Sequence, residues 1–544
     1  MSESPLSEKN VRRILLAAFC FSGAAALLYE VVWTRALSLV LGSTVYALST
    51  MLATFMAGLA LGAYIGGKIA DRGKNLSLYF GLFELGIGLF GLITVPLIYG
   101  LPPFYFKMYK TLHLSPTLYF AAQFMLSAAI MLVPTTLMGA TFPIVARRLT
   151  ESMGEMGRRV GCAYSMNTVG AVFGSISAGF LLIPAIGIKW SSFGAGCLNL
   201  AVGSAVILIL SRRQARLILP FLLSALLVFF VTKGADNDYP FANFYLADRF
   251  NDLGHMKEVE EKHTKLFEKD YPDGTVKAYQ FNNYLLIQHG GKLEGTGPGD
   301  VVNTMMLALL PVSSHKETPR DMLVIGLGAG VTTLAASLVA ENISVVEINP
   351  GVIEIVKKFG LPGTLDGVNI IRNDARKFLA VTDETYDIIT SEPSVPTESV
   401  AANLFTKEFY EIAALRLNRH GIFCQGIQGW RLTKNDIRVC IKTFASVFEH
   451  VYVWKSKEYR NFTLVGSREP FDVSEEEMLL KLKAWNIIPP AHIDDYDLAL
   501  ILTPERVQKI ADMPGIPLNT DDRPYLEFAM AKNFLLGWRY TDHR

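Results

Sequence analysis

Seven apolar stretches in the N-terminal half constrain the fold of this chain more than any other feature. They are Ile14–Val32, Val45–Ile65, Leu78–Tyr99, Leu118–Ile144, Ala163–Ile188, Phe193–Leu210 and Leu217–Val231. A helix needs roughly 20 apolar residues to cross the hydrocarbon core of a bilayer, and most of these stretches reach that length. The 544-residue chain is 51% hydrophobic, too apolar for a wholly soluble protein. Residues 1–233 are therefore predicted to form a transmembrane bundle of about seven helices.

Basic residues cluster in alternate loops between these stretches. One set of loops carries Lys9, Arg12, Arg13, Lys68, Arg72, Lys74, Arg147, Arg148, Arg158, Arg159, Arg212, Arg213 and Arg216, and the other carries only Lys107, Lys110 and Lys189. Cytoplasmic loops are enriched in Lys and Arg, so the N-terminus is predicted to lie in the cytoplasm. The segment Gly67–Lys74 also resembles the cytoplasmic loop after the second helix of major facilitator transporters.

Seven crossings from a cytoplasmic N-terminus would leave the C-terminal half outside the cytoplasm. The last stretch, Leu217–Val231, is the shortest, at about 15 residues, and could lie in the interface or re-enter. We therefore expect a multi-pass cell-membrane protein with its soluble domain on the cytoplasmic side.

The C-terminal half begins with a predicted connector and small β element at residues 234–320. Within it, Thr275–His289 alternates as a hairpin does, with Asn282 and Asn283 at the turn. Residues 321–544 then carry the pattern of an α/β domain. The buried-strand run Met322–Ile325 leads into Gly326, Gly328 and Gly330, and a helical stretch follows.

A second predicted strand ends in Glu347, 17 residues beyond Gly330. Glycines let the backbone approach a ligand closely, and an acid at this spacing can accept hydrogen bonds from ribose hydroxyls. A third strand, Val368–Ile371, leads to Asp374 and Ala375, where Asp374 either faces a ligand or caps a helix. The order of these elements predicts a Rossmann-like nucleotide-binding domain.

The fourth predicted strand, Tyr386–Thr390, is followed by Glu392 in a loop stiffened by Pro393 and Pro396. A carboxylate beyond the carboxyl end of a strand is well placed for chemistry. Gln425 follows a further strand at the same edge, and it either contacts substrate or belongs to a solvated loop. Asp521 and Asp522 either line the site or form a turn.

Taken together, these residues resemble the spermidine synthase branch of the methyltransferase-like fold from about residue 275 to 455. The features that carry the likeness are the glycine turn, Glu347, Asn373–Ala375, the Glu392 loop and Leu404–Tyr410. With the apolar half in front and Leu518–Phe528 near the end, the whole chain is similar to bacterial membrane-fused spermidine synthase-like proteins. The expected fold is a transmembrane bundle followed by a Rossmann-like domain with a small N-terminal β element.

The resemblance implies aminopropyl transfer from decarboxylated S-adenosylmethionine to an amine such as putrescine, releasing methylthioadenosine. In that family Gly326, Gly328 and Gly330 would line the donor, Glu347 would hold its ribose, and Asp374 with Ala375 would contact its adenine. Glu392 falls at the position of the catalytic acid, while Gln425, Asp521 and Asp522 are candidate substrate contacts. The resemblance implies no metal. A homo-oligomer is a further expectation, because soluble relatives associate.

Three positions depart from the family pattern. Ala329 replaces the acid that binds the donor's aminopropyl nitrogen, and Val395 replaces a second loop acid that helps recognise the diamine. Asn303–Met305 stands where the family has Tyr-His-Glu. A buried ammonium without a partner is costly, so these replacements leave the acceptor open.

Two other functions remain open at this point. An S-adenosylmethionine-dependent methyltransferase shares the glycine turn and the ribose acid, and Ala329 removes a mark of the decarboxylated donor. A transporter with a nucleotide-sensing domain would account for the transporter-like loop and for Glu30 within the first apolar stretch. A net charge of +1 gives no indication of a nucleic-acid partner. The expected partners are a small amine and the lipid bilayer.

Overall fold

The computed structural model of the chain describes most of its residues. They are residues 6–41, 45–73, 75–101, 104, 116–150, 153–233, 254, 258–259, 261–271, 274–282, 284–289, 292–295, 301–393, 395–397, 401–429, 432–456, 461–473, 476, 478, 480–481, 498–529 and 533.

Long helices fill the N-terminal half, as predicted. They are α1 (Glu8–Leu41), α2 (Val45–Asp71), α3 (Leu76–Tyr99), α4 (Pro116–Leu149), α5 (Met156–Ile176), α6 (Ile183–Leu210) and α7 (Ile218–Lys233). A π-helical turn, Ser177–Leu182, joins α5 to α6. Among the described residues, six continuous helical runs are long and apolar enough to cross a membrane, judged by length and composition.

The difference between six runs and seven predicted stretches lies in one segment, Met156–Leu210. This run is 55 residues long, which at 1.5 Å per residue is about 80 Å and far exceeds one crossing. The backbone breaks at Gly187, where φ is 81° and ψ is 170°. The run therefore consists of two helical legs, which correspond to the predicted stretches Ala163–Ile188 and Phe193–Leu210.

Glycines bring the helices into close contact. Gly58, Gly62 and Gly66 of α2 pack directly against α4, and Gly170 and Gly174 of α5 pack against the backbone of α1. A Cβ at any of these positions would collide with the neighbouring helix. These glycines thus allow close packing between helices. In contrast, Gly67 and Gly179 have open space where a Cβ would lie.

The contacts between α1, α3 and α6 give the relative directions of these three helices. The contacting pairs are Ser22 with Glu84, Tyr29 with Gly91, Asn199 with Glu84, and Ser192 with Gly91. Residue numbers rise together along α1 and α3, so these helices are parallel. They fall along α6 as they rise along α3, so α6 runs the opposite way.

Helix α7 runs antiparallel to α6 over its full length. At the far end of the pair, Lys189 Nζ donates to the carbonyl of Thr232 at 2.9 Å, and the rings of Phe193 and Phe229 are 5.3 Å apart. The short stretch Leu217–Val231 therefore packs beside α6 from one end of the bundle to the other. Because α7 is parallel to α1, it ends on the face opposite the N-terminus.

A four-stranded antiparallel sheet adjoins this opposite face. Its strands, in the spatial order β1-β2-β3-β4, are β1 (Thr264–Tyr271), β2 (Gly274–Phe281), β3 (Tyr284–His289) and β4 (Lys292–Gly295). The backbone N–H of Ile188, beside the Gly187 break, donates to Asp270 Oδ2 at 2.9 Å. Tyr279 and Leu286 share a hydrophobic cluster with Trp33 of α1. The small sheet is thus docked on the bundle.

An eight-stranded sheet forms the core of the α/β domain, in the spatial order β12-β10-β11-β9-β8-β5-β6-β7. Its strands are β5 (Asp321–Ile325), β6 (Asn342–Glu347), β7 (Asn369–Arg372), β8 (Tyr386–Ser391), β9 (Leu417–Gln428), β10 (His450–Ser456), β11 (Asn461–Ser467) and β12 (Leu498–Leu502). Strands β5 to β9 are parallel, and β10 to β12 pair antiparallel.

Short helices connect these strands and cover the sheet. They are α8 (Val301–Ser314), α9 (Val331–Ser337), α10 (Pro350–Phe359), α11 (Ala375–Val381), α12 (Lys407–Ala414), α13 (Lys434–Ala445) and α14 (Pro504–Ala511). Buried residues on both faces of the sheet form two hydrophobic clusters. The predicted combination of helical bundle, small β element and Rossmann-like domain is confirmed.

Candidate active site

The candidate site lies at the carboxyl ends of four neighbouring strands, β8, β5, β6 and β7. In that spatial order the strands lead into Glu392, the glycine loop that starts at Gly326, Glu347, and Asp374. Ligands of open α/β sheets bind at this edge. The fold therefore brings together residues that the sequence spreads over nearly 70 positions, about one per strand end.

The glycine loop needs its glycines for conformation. Gly326, Gly328 and Gly330 have φ of 86°, 50° and 84°, in the left-handed region that side chains disfavour. Gly328 is needed for space as well, because a Cβ there would collide with Oε1 of Glu392. The predicted catalytic carboxylate and the predicted donor loop are therefore in direct contact.

Glu347 is buried and both of its carboxylate oxygens accept backbone hydrogen bonds. Oε2 accepts from the N–H of Leu327 at 2.9 Å, and Oε1 accepts from the N–H of Asn349 at 2.8 Å. The first bond ties the end of β6 to the glycine loop. Glu347 thus braces the loop in addition to the ribose contact that the sequence predicts.

Asn349 and His289 are neighbours of this site that the sequence reasoning missed. Asn349 caps α10 by accepting from the N–H of Gly351 at 2.7 Å, and its Nδ2 lies 3.2 Å from His289 Nε2. The Asn-Pro pair after Glu347 is a helix-start signal that could have indicated Asn349. His289 has no such signal, since it arrives from β3 of the small sheet.

Asp374 caps helix α11, the alternative that the sequence left open. Its Oδ1 accepts from the N–H of Lys377 at 2.9 Å, while the next residue, Ala375, is buried. A capping carboxylate still has a second oxygen with lone pairs. The cap thus fixes Asp374 at the edge of the sheet beside the end of β6.

The loop that carries Glu392 is held by a backbone hydrogen bond of Glu392 and by the side chain of Gln425. The N–H of Glu392 donates to the carbonyl of Ile325 at 2.9 Å, which joins it to the start of the glycine loop. Gln425 is fully buried, and its Nε2 donates to the carbonyls of Pro393 and Gly426, each at 3.0 Å. Gln425 therefore holds the Glu392 loop in place through its side-chain nitrogen. Its Oε1 has no hydrogen-bond partner within the described residues and remains available for another contact.

Asp521 and Asp522 lie in a turn that is closed by Asn519 Oδ1, which accepts from the N–H of Leu526 at 3.0 Å. Asp521 forms a bidentate ion pair with Arg376, a residue that the sequence reasoning missed. The hydrogen bonds from Arg376 lower the pKa of Asp521. Asp522 is exposed.

Cys424 is the nearest thiol, one residue before Gln425 on β9. Burial raises its pKa to about 12. Because the thiolate is the nucleophilic form, Cys424 is inert at neutral pH. The chemistry available at this edge is therefore that of a carboxylate, Glu392, beside a nucleotide-type loop.

Comparison with known proteins agrees with this geometry. Residues 301–459 match the family described as Spermine/spermidine synthase domain. The polyamine aminopropyltransferase of Oceanobacillus iheyensis is 22% identical over 427 residues, covering 76% of this chain and 78% of the relative. That of Pseudomonas syringae pv. tomato is 31% identical over 182 residues, covering 32% of this chain and 59% of the relative. The crystal structure of spermidine synthase from Thermotoga maritima covers 46% of this chain and 88% of its own, with 19% identity and a TM-score of 0.36.

The fold defines a Rossmann-like α/β domain with an eight-stranded sheet, preceded by an apolar helical bundle. Within that class, the matched domain and the sequence relatives show what the chain is similar to. Residues 301–459 match the spermine/spermidine synthase domain, and the chain is similar to a polyamine aminopropyltransferase across the helical bundle as well as the α/β domain.

Proposed function

We propose that this protein is a membrane-bound aminopropyltransferase. It would transfer the aminopropyl group of decarboxylated S-adenosylmethionine to an amine such as putrescine and release methylthioadenosine. The observation that carries the proposal is the direct contact between Glu392 and Gly328, which puts a carboxylate against the loop that would hold the donor. The amine that attacks the donor's carbon needs a proton acceptor beside it, and this contact supports that role for Glu392.

The residues at the strand ends fit the proposed donor. The positive φ of the glycine loop opens the backbone to close approach, and the buried Glu347 lies at the end of β6, where it can accept from a ribose. Asp374 and the buried Ala375 stand at the next strand end, where the adenine would lie. The donor supplies the sulfonium that leaves, so this chain's residues need only bind, orient and accept a proton.

In the proposed reaction, the lone pair of a neutral amine attacks the methylene carbon next to the sulfonium. A C–N bond forms, the C–S bond breaks, and its electron pair returns to sulfur as the neutral thioether of methylthioadenosine. The new ammonium then gives one proton to Glu392. Glu392 also orients the amine before attack, because its carboxylate accepts a hydrogen bond from the N–H group.

The acceptor amine faces a site with few acids. Asp521 is already paired with Arg376, and the positions where the family has further acids hold the buried residues Ala329 and Val395. One ammonium group of a dication such as putrescine would therefore lie beside Glu392. Among the described residues, no second carboxylate is shown beside the Glu392 loop for the other ammonium group. We accordingly propose putrescine as one acceptor within a class of aliphatic amines.

Methyl transfer is the second candidate, and Ala329 is the observation that favours it. The loop position where the family binds the donor's nitrogen is apolar and buried here, which removes one contact that selects the decarboxylated donor. The two reactions release different nucleosides, since methylation converts S-adenosylmethionine to S-adenosylhomocysteine.

The test incubates purified full-length protein in detergent with either donor and a panel of amines, and identifies the nucleoside by mass spectrometry. Methylthioadenosine formed only with the decarboxylated donor plus an amine would support aminopropyl transfer. S-Adenosylhomocysteine would overturn it in favour of methylation. Glu392→Gln should lower the rate of product formation about a thousandfold. The matched control is Glu341→Gln, an exposed acid just before β6 at the opposite edge of the sheet, which should leave the rate unchanged.

We also propose that the helical bundle spans the membrane with its N-terminus in the cytoplasm. The length and composition of the helices support insertion. The C-terminal ends of α2, α4 and α6, which lead into the basic loops predicted to be cytoplasmic, share a hydrophobic cluster with the start of α1 and so lie on the N-terminal face. Because α7 is parallel to α1, the α/β domain would then lie on the other face of the membrane. This differs from the cytoplasmic placement expected from the sequence, which depended on an incomplete last crossing. The S-adenosyl donor of the proposed reaction would then have to be supplied on that other face of the membrane.

The side of the membrane can be tested with reporters fused to the full chain. Alkaline phosphatase fused after Arg544 should be active in cells and green fluorescent protein at the same position should be dark, while a fluorescent N-terminal fusion serves as the control. Bright C-terminal fluorescence with inactive phosphatase would overturn the proposed orientation and restore a cytoplasmic α/β domain.

A further inference from the structure

The middle of the bundle contains a completely buried carboxylate. Glu84 of α3 has 0% relative exposure and is the point where three helices meet. Ser22 Oγ of α1 donates to its Oε1 at 2.5 Å, and Asn199 Nδ2 of α6 donates to its Oε2 at 2.6 Å. The sequence reasoning passed over Glu84 in favour of Glu30, although an acid within Leu78–Tyr99 is itself a signal for a functional site.

Neither donor to Glu84 carries a charge. Ser22 and Asn199 are neutral, and no Lys, Arg or His among the described residues forms an ion pair with Glu84. A carboxylate inside a bilayer is paired with a positive charge or neutralised, because hydrocarbon does not solvate it. These hydrogen bonds give each carboxylate oxygen of Glu84 a donor, but they do not compensate its negative charge.

A second observation concerns the side-chain oxygen of Asn199, which belongs to the same cluster. Asn199 is 1% exposed, and its Oδ1 is buried with no hydrogen-bond partner in the described part of the chain. This oxygen belongs to the same amide group whose nitrogen is bound to Glu84. Two turns further along α3, Tyr29 Oη faces Gly91 and is also buried without a partner. Buried polar atoms normally have partners, so these exceptions require an explanation.

We propose that Glu84 and Asn199 form a binding site for one small monovalent cation inside the bundle. The shared chemistry is a single positive charge held by carboxylate and amide oxygens, and its source is either a proton or a sodium ion. This proposal rests on the proposed membrane insertion but not on the transferase reaction. A cation here would compensate the charge of Glu84 and occupy the acceptor of Asn199.

Few other groups can contribute to a titration at this position. Besides Glu84, the described titratable or charged side chains on α3 and on the helices that pack against it are Tyr79 and Tyr99 of α3, Cys20, Tyr29, Glu30 and Arg35 of α1, Cys197 and Lys189 of α6, and, at the helix ends, Glu8, Lys9, Arg12, Arg13, Arg147 and Arg148. Only Glu30 is another carboxyl group within the apolar part of these helices. Infrared spectroscopy separates carboxyl groups from phenols and thiols, so it isolates the two glutamates.

The experiment records infrared difference spectra of the full chain in detergent, first between pH 5 and pH 9 and then between sodium chloride and N-methylglucamine chloride. A protonated carboxyl band that disappears with rising pH and is missing in Glu84→Gln would support a proton. A carboxylate band that shifts with sodium and is missing in Glu84→Gln would support sodium. Glu30→Gln is the matched control and should retain either signal.

Absence of any Glu84-dependent change in both titrations would overturn the proposal and leave Glu84 a purely structural residue. If Glu84→Gln does not fold, Ser22→Ala provides the second readout. It removes the donor to Oε1 and should move the frequency of the band without abolishing it, and an unmoved band would count against the assignment to Glu84. Failure of membrane insertion would appear in the reporter fusions, independently of these spectra.

Discussion

The two halves of this protein use glycine in opposite ways. In the bundle, Gly62 and Gly170 keep ordinary helical geometry, and the missing side chain lets a neighbouring backbone come close. In the α/β domain, Gly326 and Gly328 adopt left-handed φ values, and the missing side chain leaves room for Glu392. In the first case glycine serves packing between elements, and in the second it serves conformation and the site.

The halves also differ in how they hold a buried acid. Glu347 accepts two backbone N–H groups from its own loop and turn, within 20 residues of sequence. Glu84 depends on side chains 62 and 115 residues away, on two other helices. An acid held by local backbone is fixed once the strand and loop form, whereas an acid held by distant helices reports on the assembly of the whole bundle.

The largest expected effect tests the α/β side of this comparison. Glu392→Gln keeps the shape of the side chain and removes its ability to accept a proton. A positioned acid or base contributes about 10²–10⁴-fold to a rate, so we expect kcat to fall about a thousandfold with the KM for the donor nearly unchanged. Steady-state kinetics would check this. A rise in KM alone would instead assign Glu392 to binding.

A smaller loss of activity is expected from Gly328→Ala. The added Cβ collides with Glu392 and forces a left-handed conformation that costs a non-glycine residue about 1–2 kcal/mol. Misplacing a reacting group by about 1 Å costs on the order of a hundredfold in rate, so kcat should fall by that amount. Unchanged kcat in Gly328→Ala would break the link between the loop and Glu392. Gly363→Ala is a matched control, since Gly363 also has positive φ but has open space around it.

The corresponding change in the bundle should affect stability and leave catalysis intact. In Gly170→Ala the new methyl group meets the carbonyl of Cys20 on α1, and overpacking of this kind costs about 1–3 kcal/mol. We expect a lower thermal midpoint for the bundle and a transferase rate within about twofold of the parent. Gly179→Ala, with open space at the Cβ, is the control and should melt like the parent. A large drop in kcat for Gly170→Ala would indicate coupling between the halves.

The same contrast explains which features of the protein could be predicted from its sequence. The strand ends and the glycine loop could be predicted because hydrophobic runs, glycines and acids recur at short spacing within one β-α-β unit. Arg376 and Glu84 could not be assigned partners in this way. The Arg376 ion pair joins residues 145 positions apart, and the Glu84 cluster joins three helices. Such contacts depend on how elements pack, which no local pattern encodes.

The direction of the last helix shows the same limit. By length alone, Leu217–Val231 is a poor span, and the sequence left open whether it crosses. The hydrogen bond between Lys189 and Thr232 shows its course, since it joins the end of α7 to the start of the α6 leg beside it. The side on which the α/β domain lies thus depends on one helix pair.

The smallest expected effect concerns Asp521, an acid held across the fold like Glu84 but at the surface. Its pKa is lowered by Arg376, so the ion pair stabilises the folded chain above the ordinary Asp pKa of about 4 and loses this effect as pH falls through the lowered value. The Asp521 side chain is 41% exposed, and exposed pairs contribute less than about 1 kcal/mol. Thermal unfolding of Asp521→Asn should therefore show a small deficit at pH 7 that disappears toward pH 3, whereas the exposed neighbour Asp522→Asn should show none. A deficit that is constant across this range would mean that Asp521 acts through the turn and not through its charge.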